Sequence, residues 1–302
     1  MTSVVATDAA LAQSPAKAAK SGGYEFVVKD IVYAKIGGKD RLARLYQPAG
    51  NGPFPAVVQI HGGAWNNKDR TDGQNASLDL AATGIVVLSI DFRNAPEAPY
   101  PASLQDINLA IRWMKAHAKD FGSSADRVGL YGTSSGGLLA MLAAIRPEDE
   151  RYRALPLAEA PKMDAKVAFV VSGWGVLYPL ERLERAKAQG KKDLIVSHAT
   201  FFKDDATHKE ATPTLILEAG EKVHLPPAMT FQGNKDEWTT AEEAERLGAA
   251  YRKRGGAMDV YLADGERHTY VNDHPFSANA VKTMAAVVAF IKKHAGQQVA
   301  AR

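Results

Sequence analysis

The chain contains no cysteine, no long apolar run and no clear excess of charge of either sign. Without cysteine there is no disulfide, no thiolate metal ligand and no cysteine nucleophile. No stretch reaches the roughly 18 apolar residues that a membrane-spanning helix needs, so we expect no membrane span. The 37 basic and 34 acidic residues leave a net charge of +3 with no basic block, which argues against nucleic acid as a partner.

Apolar residues are abundant, at 46% of the 302 residues, and they occur in segments of two kinds that alternate along the chain. Short β-branched runs predict strands at 24–33, 42–46, 56–60, 85–90, 128–131, 167–171, 227–232 and 258–263. Longer segments with helical spacing predict helices at 78–83, 102–118, 138–145, 180–188, 193–202, 241–254 and 278–294. The alternation predicts an α/β fold, with two antiparallel opening strands, a mostly parallel twisted sheet and helices on both faces.

We expect one domain over residues 24–302, preceded by a separate segment at 1–23. That segment is rich in Ala, Ser and Lys and is either disordered or the remnant of a signal peptide, because Ala10 to Ala12 resemble a cleavage site. The expected compartment is the cytoplasm by default, and the periplasm or the medium if the segment is a signal remnant. Residues 176–212 form a long insertion, which either caps a site or only packs against the domain.

A possible nucleophile lies between a predicted strand and a predicted helix. Residues 132–136 read Gly-Thr-Ser-Ser-Gly, the G-x-S-x-G pattern of a tight strand-to-helix turn. In such a turn Ser134 stands clear of the sheet, and the N–H of Ser135 points to the same place from a helix N-terminus. Small residues are needed on both sides because the backbone passes too close for a Cβ.

Two further residues fit a triad with Ser134. Asp236 and His268 each follow a predicted strand, and parallel sheets place ligands at the carboxyl ends of their strands. The chain order Ser, Asp, His is that of the α/β-hydrolase triad. The agreement of residue type, order and position at all three sites favours a catalytic triad over unrelated surface polar groups.

The sequence His-Gly-Gly-Ala-Trp at 61–65 follows the strand at 56–60. Two glycines there allow backbone N–H groups to turn inward, as an oxyanion hole requires. His61 precedes the glycines, so we expect it to orient the loop rather than act as a base. Trp65 either forms a wall of the pocket or packs beneath it.

Aromatic residues close to these positions are candidates for the substrate pocket. They are Trp65, Trp174, Tyr178, Trp238 and Tyr270.

Taken together, these motifs resemble the esterase/lipase group of α/β-hydrolases that is related to hormone-sensitive lipase, over about residues 40–295. The matching segments are HGGAW at 61–65, DFRNAPEAPYPASLQD at 91–106, GTSSGG at 132–137, GNKD at 233–236 and GERH at 265–268. The lipase-like branch has HGGG and GDSAGG instead, and the HGG-x-W form recurs in feruloyl-esterase-like and aryl-formamidase-like relatives.

The resemblance implies an α/β-hydrolase fold with a cap-like insertion. It also implies a triad of Ser134, Asp236 and His268, with oxyanion donors from the N–H groups of Gly63, Ala64 and Ser135. The expected activity is hydrolysis of small to medium carboxylic esters, of acyl or aryl type, through an acyl-enzyme, with a small-molecule ester as partner and without metal or cofactor. Two alternatives stay open: an aryl-formamidase or amide hydrolase with the same triad, and a non-catalytic ligand-binding relative. The sequence makes no prediction of the oligomeric state.

Overall fold

The computed structural model describes residues 23–296. These residues form an eight-stranded sheet whose strands are β1 Phe26–Ile36, β2 Lys39–Pro48, β3 Ala56–Ile60, β4 Val86–Ile90, β5 Val128–Thr133, β6 Val170–Gly173, β7 Ala228–Gly233 and β8 Met258–Ala263. The proposed signal remnant or disordered segment at 1–23 lies outside the described residues, apart from Gly23.

The strand order is β1-β2-β4-β3-β5-β6-β7-β8. The opening strands β1 and β2 pair antiparallel, as predicted, and β2 also pairs antiparallel with β4. All remaining pairs are parallel. The predicted α/β fold with a mostly parallel sheet is therefore confirmed.

The same described residues contain the helices α1 Gln74–Ala82, α2 Ala102–Ala116, α3 Ser135–Ile145, α4 Pro179–Ala188, α5 Lys192–Phe201, α6 Asp205–Glu210, α7 Pro213–Glu218, α8 Ala241–Lys253, α9 Tyr270–Asp273 and α10 Ala278–His294. Apolar residues of α2, α3 and α8 pack on one face of the sheet, and those of α1 and α10 pack on the other. Neighbouring residues of a central strand enter opposite cores: Val58 lies in the first and Val57 in the second. Burial on both faces explains the continuous apolar runs of these strands.

The insertion after β6 is more helical than predicted. Two helices are expected from the sequence between residues 176 and 212, but the described chain forms four, from α4 to α7, and they extend to Glu218. The last two are six residues each, too short for a helical period to be recognised in the sequence. In residues 23–296 no helix combines the length and the apolar character needed to cross a membrane.

Candidate active site

Ser134 occupies the tight turn between β5 and α3. Its backbone has φ +53° and ψ −123°, a strained conformation for a residue with a side chain. A Cβ on Gly132 would collide with the carbonyl group of Gly136, and a Cβ on Gly136 would collide with the carbonyl oxygens of Ile60 and His61. The requirement for glycine on both sides of the serine is therefore steric, and it holds Ser134 at the apex of the turn.

The three residues of the expected triad lie at one edge of the sheet. Ser134 follows β5, Asp236 follows β7 and His268 follows β8, and these strands are parallel. The Oγ of Ser134 is 3.0 Å from Nε2 of His268, and Nδ1 of His268 is 2.7 Å from Oδ2 of Asp236. Both distances fall within hydrogen-bonding range, so a proton can pass from the serine to a histidine that a carboxylate orients.

Asp236 is almost completely buried, at 7% exposure, and its carboxylate is well supplied with donors. Oδ1 accepts the N–H groups of Trp238 and Thr239 at 2.8 and 3.1 Å, and Oδ2 accepts the hydroxyl of Thr239 at 2.8 Å. Burial by itself raises the pKa of Asp236, but the hydrogen bond and the charge of His268, with these donors, bring the pKa below its ordinary value. The carboxylate is therefore ionised at neutral pH and faces the imidazole.

The loop at 61–65 lies beside the serine, since a Cβ on Gly62 would be 3.2 Å from the Cβ of Ser134. Gly63 and Ala64 both have positive φ angles, +98° and +51°. Among the loop and turn hydrogen bonds of the described chain, none has the N–H of Gly63, Ala64 or Ser135 as its donor. Three N–H groups near the serine thus have no such acceptor, which fits the requirement for an oxyanion hole.

His61 is buried at the base of this loop. Its Nδ1 lies 2.8 Å from the carbonyl oxygen of Gly62, and its ring stacks on Phe92 with centroids 4.1 Å apart. Burial lowers the pKa of His61, so its imidazole is neutral at neutral pH. These contacts are with the loop itself and with Phe92 rather than with the triad.

A cavity of about 250 Å³ opens over the serine. Ser134, His268 and the loop residues 62–64 line one part of it. Trp174, Trp238 and two residues of the insertion, Arg182 of α4 and Leu194 of α5, line another part. The helical insertion therefore contributes directly to the wall of the site.

The five aromatic candidates divide into two groups. Trp174 and Trp238 line the cavity, whereas Trp65, Tyr178 and Tyr270 are not among its lining residues. Each of these three is at most 2% exposed and is held elsewhere. Trp65 packs against Phe201 of α5, Arg246 lies over the ring of Tyr178, and the hydroxyl of Tyr270 bonds Thr283 at 2.7 Å.

Three polar features of the cavity wall are not predicted by the sequence motifs. They are Arg182, the ion pair between Lys68 and Asp72, and Asn272, all of which line the cavity. Arg182 belongs to the charged helix LERLERA, where nothing in the pattern separates a buried arginine from its exposed neighbours. Within residues 23–296, no group of three His, Asp or Glu side chains is placed to hold a metal ion.

The sheet order and the residues at its carboxyl edge define the α/β-hydrolase class, and solved structures agree. The hyperthermophilic esterase of the archaeon Pyrobaculum calidifontis superposes with a TM-score of 0.71 over 88% of this chain and 85% of its own, at 24% identity. At that identity the likeness establishes the fold alone, and the α/β-hydrolase fold is thereby confirmed.

A family model described as BD-FAE matches residues 44–251, and the chain belongs to this family. Esterase LipC of Mycobacterium tuberculosis is 31% identical over 216 residues, 69% of this chain and 52% of LipC. Lipase 2 of Moraxella sp. is 34% identical over 301 residues, 88% of this chain and 69% of the lipase. The resemblance to esterases and lipases is confirmed. The chain spans 52–63% of the length of the first four curated relatives.

Proposed function

We propose that the protein is a serine hydrolase that cleaves carboxylic esters with small to medium acyl or aryl groups. The hydrogen-bonded chain Ser134–His268–Asp236, with distances of 3.0 and 2.7 Å, is the observation that carries the proposal. The names of the relatives, an esterase and a lipase, support it. A cavity of about 250 Å³ lies just below the usual volume range of ligand pockets, which favours small substrates.

In the proposed reaction the Oγ of Ser134 attacks the ester carbonyl while Nε2 of His268 removes its proton. The carbonyl oxygen becomes negative and is held by the N–H groups of Gly63, Ala64 and Ser135. Asp236 keeps the imidazole in the tautomer whose Nε2 is free to accept, and it stabilises the imidazolium that forms. His268 then donates the proton to the leaving alcohol, and an acyl group stays on Ser134.

Water completes the proposed cycle. His268 removes a proton from the water as it attacks the acyl-enzyme, and the same N–H groups hold the second oxyanion. When this second tetrahedral intermediate collapses, His268 returns the proton to the Oγ of Ser134 and the acid is released. Dividing one difficult hydrolysis into two acyl transfers is what the covalent intermediate achieves.

We further propose that residues 24–302 act as a single domain in which the insertion serves as a cap over the cavity. Arg182 and Leu194 in the cavity wall support that role. Hydrolysis of p-nitrophenyl acetate by the wild type and by Ser134→Ala tests the function. We expect the variant to lose nearly all activity, and an organophosphonate to label Ser134 of the wild type only. Equal rates for the two proteins would refute the proposal.

A further inference from the structure

Arg182 is a buried cation in the wall of the active-site cavity. It lies on α4, is 4% exposed, and lines the same cavity as Ser134 and His268. Taking a charge out of water is unfavourable unless a partner compensates for it. The partners of this guanidinium therefore determine whether Arg182 is satisfied by the protein alone.

The described chain gives Arg182 no carboxylate partner and no side-chain hydrogen bond. Its guanidinium is among none of the ion pairs, its Nε is buried without an acceptor, and the ring of Trp65 lies 5.4 Å from its Cζ. Arg185, one turn further along α4, also has a buried Nε without an acceptor, but its two terminal nitrogens have partners. It forms an ion pair with Glu243 at 2.7 Å and donates to the carbonyl of Trp238 at 2.9 Å.

The other charged groups near the cavity are already matched. Lys68 and Asp72 form an ion pair at 2.7 Å, and Asp236 is hydrogen-bonded to His268. Burial and, after it, the charge of Arg185 lower the pKa of Arg182 to about 10, against the weaker opposing charges of Asp236 and Glu243, so the guanidinium still carries its proton at neutral pH. Close to the proposed nucleophile, the cavity wall therefore presents a positive charge that contacts the ring of Trp65 but no carboxylate of the described chain.

We propose that the substrate is an ester that also carries a carboxylate, and that Arg182 binds this carboxylate. The inference rests on the ester hydrolysis proposed above and specifies its substrate class. A planar guanidinium and a carboxylate can form two parallel hydrogen bonds, which satisfy the buried donors and orient the substrate. The carboxylate belongs to the acyl part in half-esters of dicarboxylic acids, or to the alcohol part in esters of hydroxy acids.

The experiment compares each anionic ester with its neutral isostere. The acyl arm uses the monoethyl esters of succinic, glutaric and adipic acids beside the same esters with the free carboxylate replaced by a carboxamide. The alcohol arm uses O-acetyl 4-hydroxybutanoate beside its carboxamide. Acid release is followed by pH-stat titration near neutral pH, and kcat and KM are measured for the wild type, Arg182→Met, Arg182→Lys and Lys187→Met.

We expect the wild type to prefer the carboxylate member in at least one arm, and the arm that shows the preference identifies which part of the substrate carries the charge. Because hydrogen bonds to charged groups contribute about 1.5–3 kcal/mol, Arg182→Met should reduce the anion-to-amide ratio of kcat/KM by roughly tenfold to a hundredfold, mainly through KM. Arg182→Lys keeps the positive charge but cannot form the two parallel hydrogen bonds of a guanidinium, so it should retain part of the preference. Lys187 lies on the same helix but is half exposed and pairs with Glu184, so Lys187→Met should leave the ratio unchanged.

If the anion-to-amide ratio of kcat/KM is the same in the wild type and in Arg182→Met, the inference is overturned. In that case both proteins still hydrolyse neutral esters, so the proposed function is not affected. Failure of the proposed function would give a different result: Ser134→Ala would then hydrolyse p-nitrophenyl acetate at the same rate as the wild type. Circular dichroism checks that Arg182→Met is folded. If it is not, competitive inhibition of the wild type and Arg182→Lys by succinate, glutarate and adipate decides. Inhibition by these anions that is no tighter than by their uncharged diamides overturns the inference as well.

Discussion

Trp65 stacks face to face on Phe201, with ring centroids 5.0 Å apart and ring planes 8° apart. Trp65 ends the loop that contains the Gly63 and Ala64 N–H groups, and Phe201 ends α5 of the insertion. His198 and Phe202 pack nearly perpendicular to the indole, with ring centroids 5.0 and 4.9 Å from it. The proposed oxyanion loop and the proposed cap are therefore packed together through one buried tryptophan.

Replacing Trp65 by alanine should affect both stability and catalysis. Trp65 is 1% exposed, and removing a fully buried tryptophan lowers the free energy of unfolding by about 3–5 kcal/mol. We also expect kcat on p-nitrophenyl acetate to fall, because the loop that positions Gly63 and Ala64 loses its packing. Urea denaturation and steady-state kinetics measure the two effects.

Phe276→Ala is the matched control for loss of an aromatic side chain. Phe276 is 93% exposed, so its removal should change the free energy of unfolding by no more than about 0.5 kcal/mol. A Trp65→Ala protein as stable and as active as this control would show that the stacking contact holds neither the loop nor the insertion.

The sheet and the convergence of Ser134, Asp236 and His268 could be predicted because both follow from local patterns. Buried parallel strands leave continuous apolar runs, and the residue after each strand must lie at the carboxyl edge of the sheet. Chain order and residue type then select three residues from many. The structure brings these three within hydrogen-bonding distance of one another.

The details of the cavity wall could not be predicted, because they depend on how the insertion packs. Tyr178 and Trp174 are close in sequence, but only Trp174 lines the cavity. Arg182 is buried while Glu181 and Glu184 beside it are exposed. Which side of a charged helix faces a cavity is decided by tertiary contacts, and helical periodicity alone does not contain that information.

Gly136→Ala should destabilise the protein although alanine is normally the better helix residue. In an open helix the change would stabilise by about 0.5–1 kcal/mol. At position 136 the new Cβ would overlap the backbone carbonyl oxygens of Ile60 and His61, which no side-chain rotation can relieve. We expect the free energy of unfolding to fall by about 1–3 kcal/mol or more, the usual cost of overpacking, and esterase activity to be lost.

Thermal and urea denaturation test the Gly136 prediction against Gly190→Ala. Gly190 has φ +65°, and a Cβ added there would meet no atom of a non-adjacent residue within 4 Å. Only backbone strain of about 1–2 kcal/mol is therefore expected at Gly190. Normal esterase activity should persist in that control. A Gly136→Ala protein that is more stable than the wild type would contradict the steric account of the turn.

Asp236→Asn should remove catalysis while leaving substrate binding nearly intact. The amide that replaces the carboxylate no longer holds Nδ1 of His268 protonated, so Nε2 cannot accept the serine proton. We expect kcat to fall by about 10³–10⁴-fold with little change in KM. Thr239→Val is the control: it removes one hydroxyl donor, at 2.8 Å, but keeps the carboxylate, and it should cost far less activity. Similar losses in both variants would argue against the role assigned to Asp236.

On the opening hairpin, Asp30 of β1 lies opposite Arg44 of β2 in the strand register. Arg44 donates to Oδ1 and Oδ2 of Asp30 at 2.8 and 3.1 Å, and Arg70 donates to Oδ2 at 2.8 Å. The hydrogen bonds from Arg44 are the largest influence on the pKa of Asp30. Against the opposing effect of burial, and with the help of Arg70, they lower it from 3.8 to about 2.

Asp30→Asn should therefore lower stability at neutral pH and not at low pH. A carboxyl with a lower pKa in the folded state contributes stability above its unfolded pKa of 3.8 and loses that contribution as the pH falls towards 2. The shift corresponds to at most about 2 kcal/mol at neutral pH, because solvent screens this partly exposed ion pair. Urea denaturation across this pH range should show the wild type's advantage over Asp30→Asn shrinking to near zero on acidification.

Asp40→Asn is the control, because Asp40 is half exposed and lies 3.5 Å from Lys35. The wild type should be more stable than Asp40→Asn by at most about 1 kcal/mol. An Asp30→Asn deficit that persists unchanged at low pH would mean that the side chain stabilises the hairpin by packing and not by its charge.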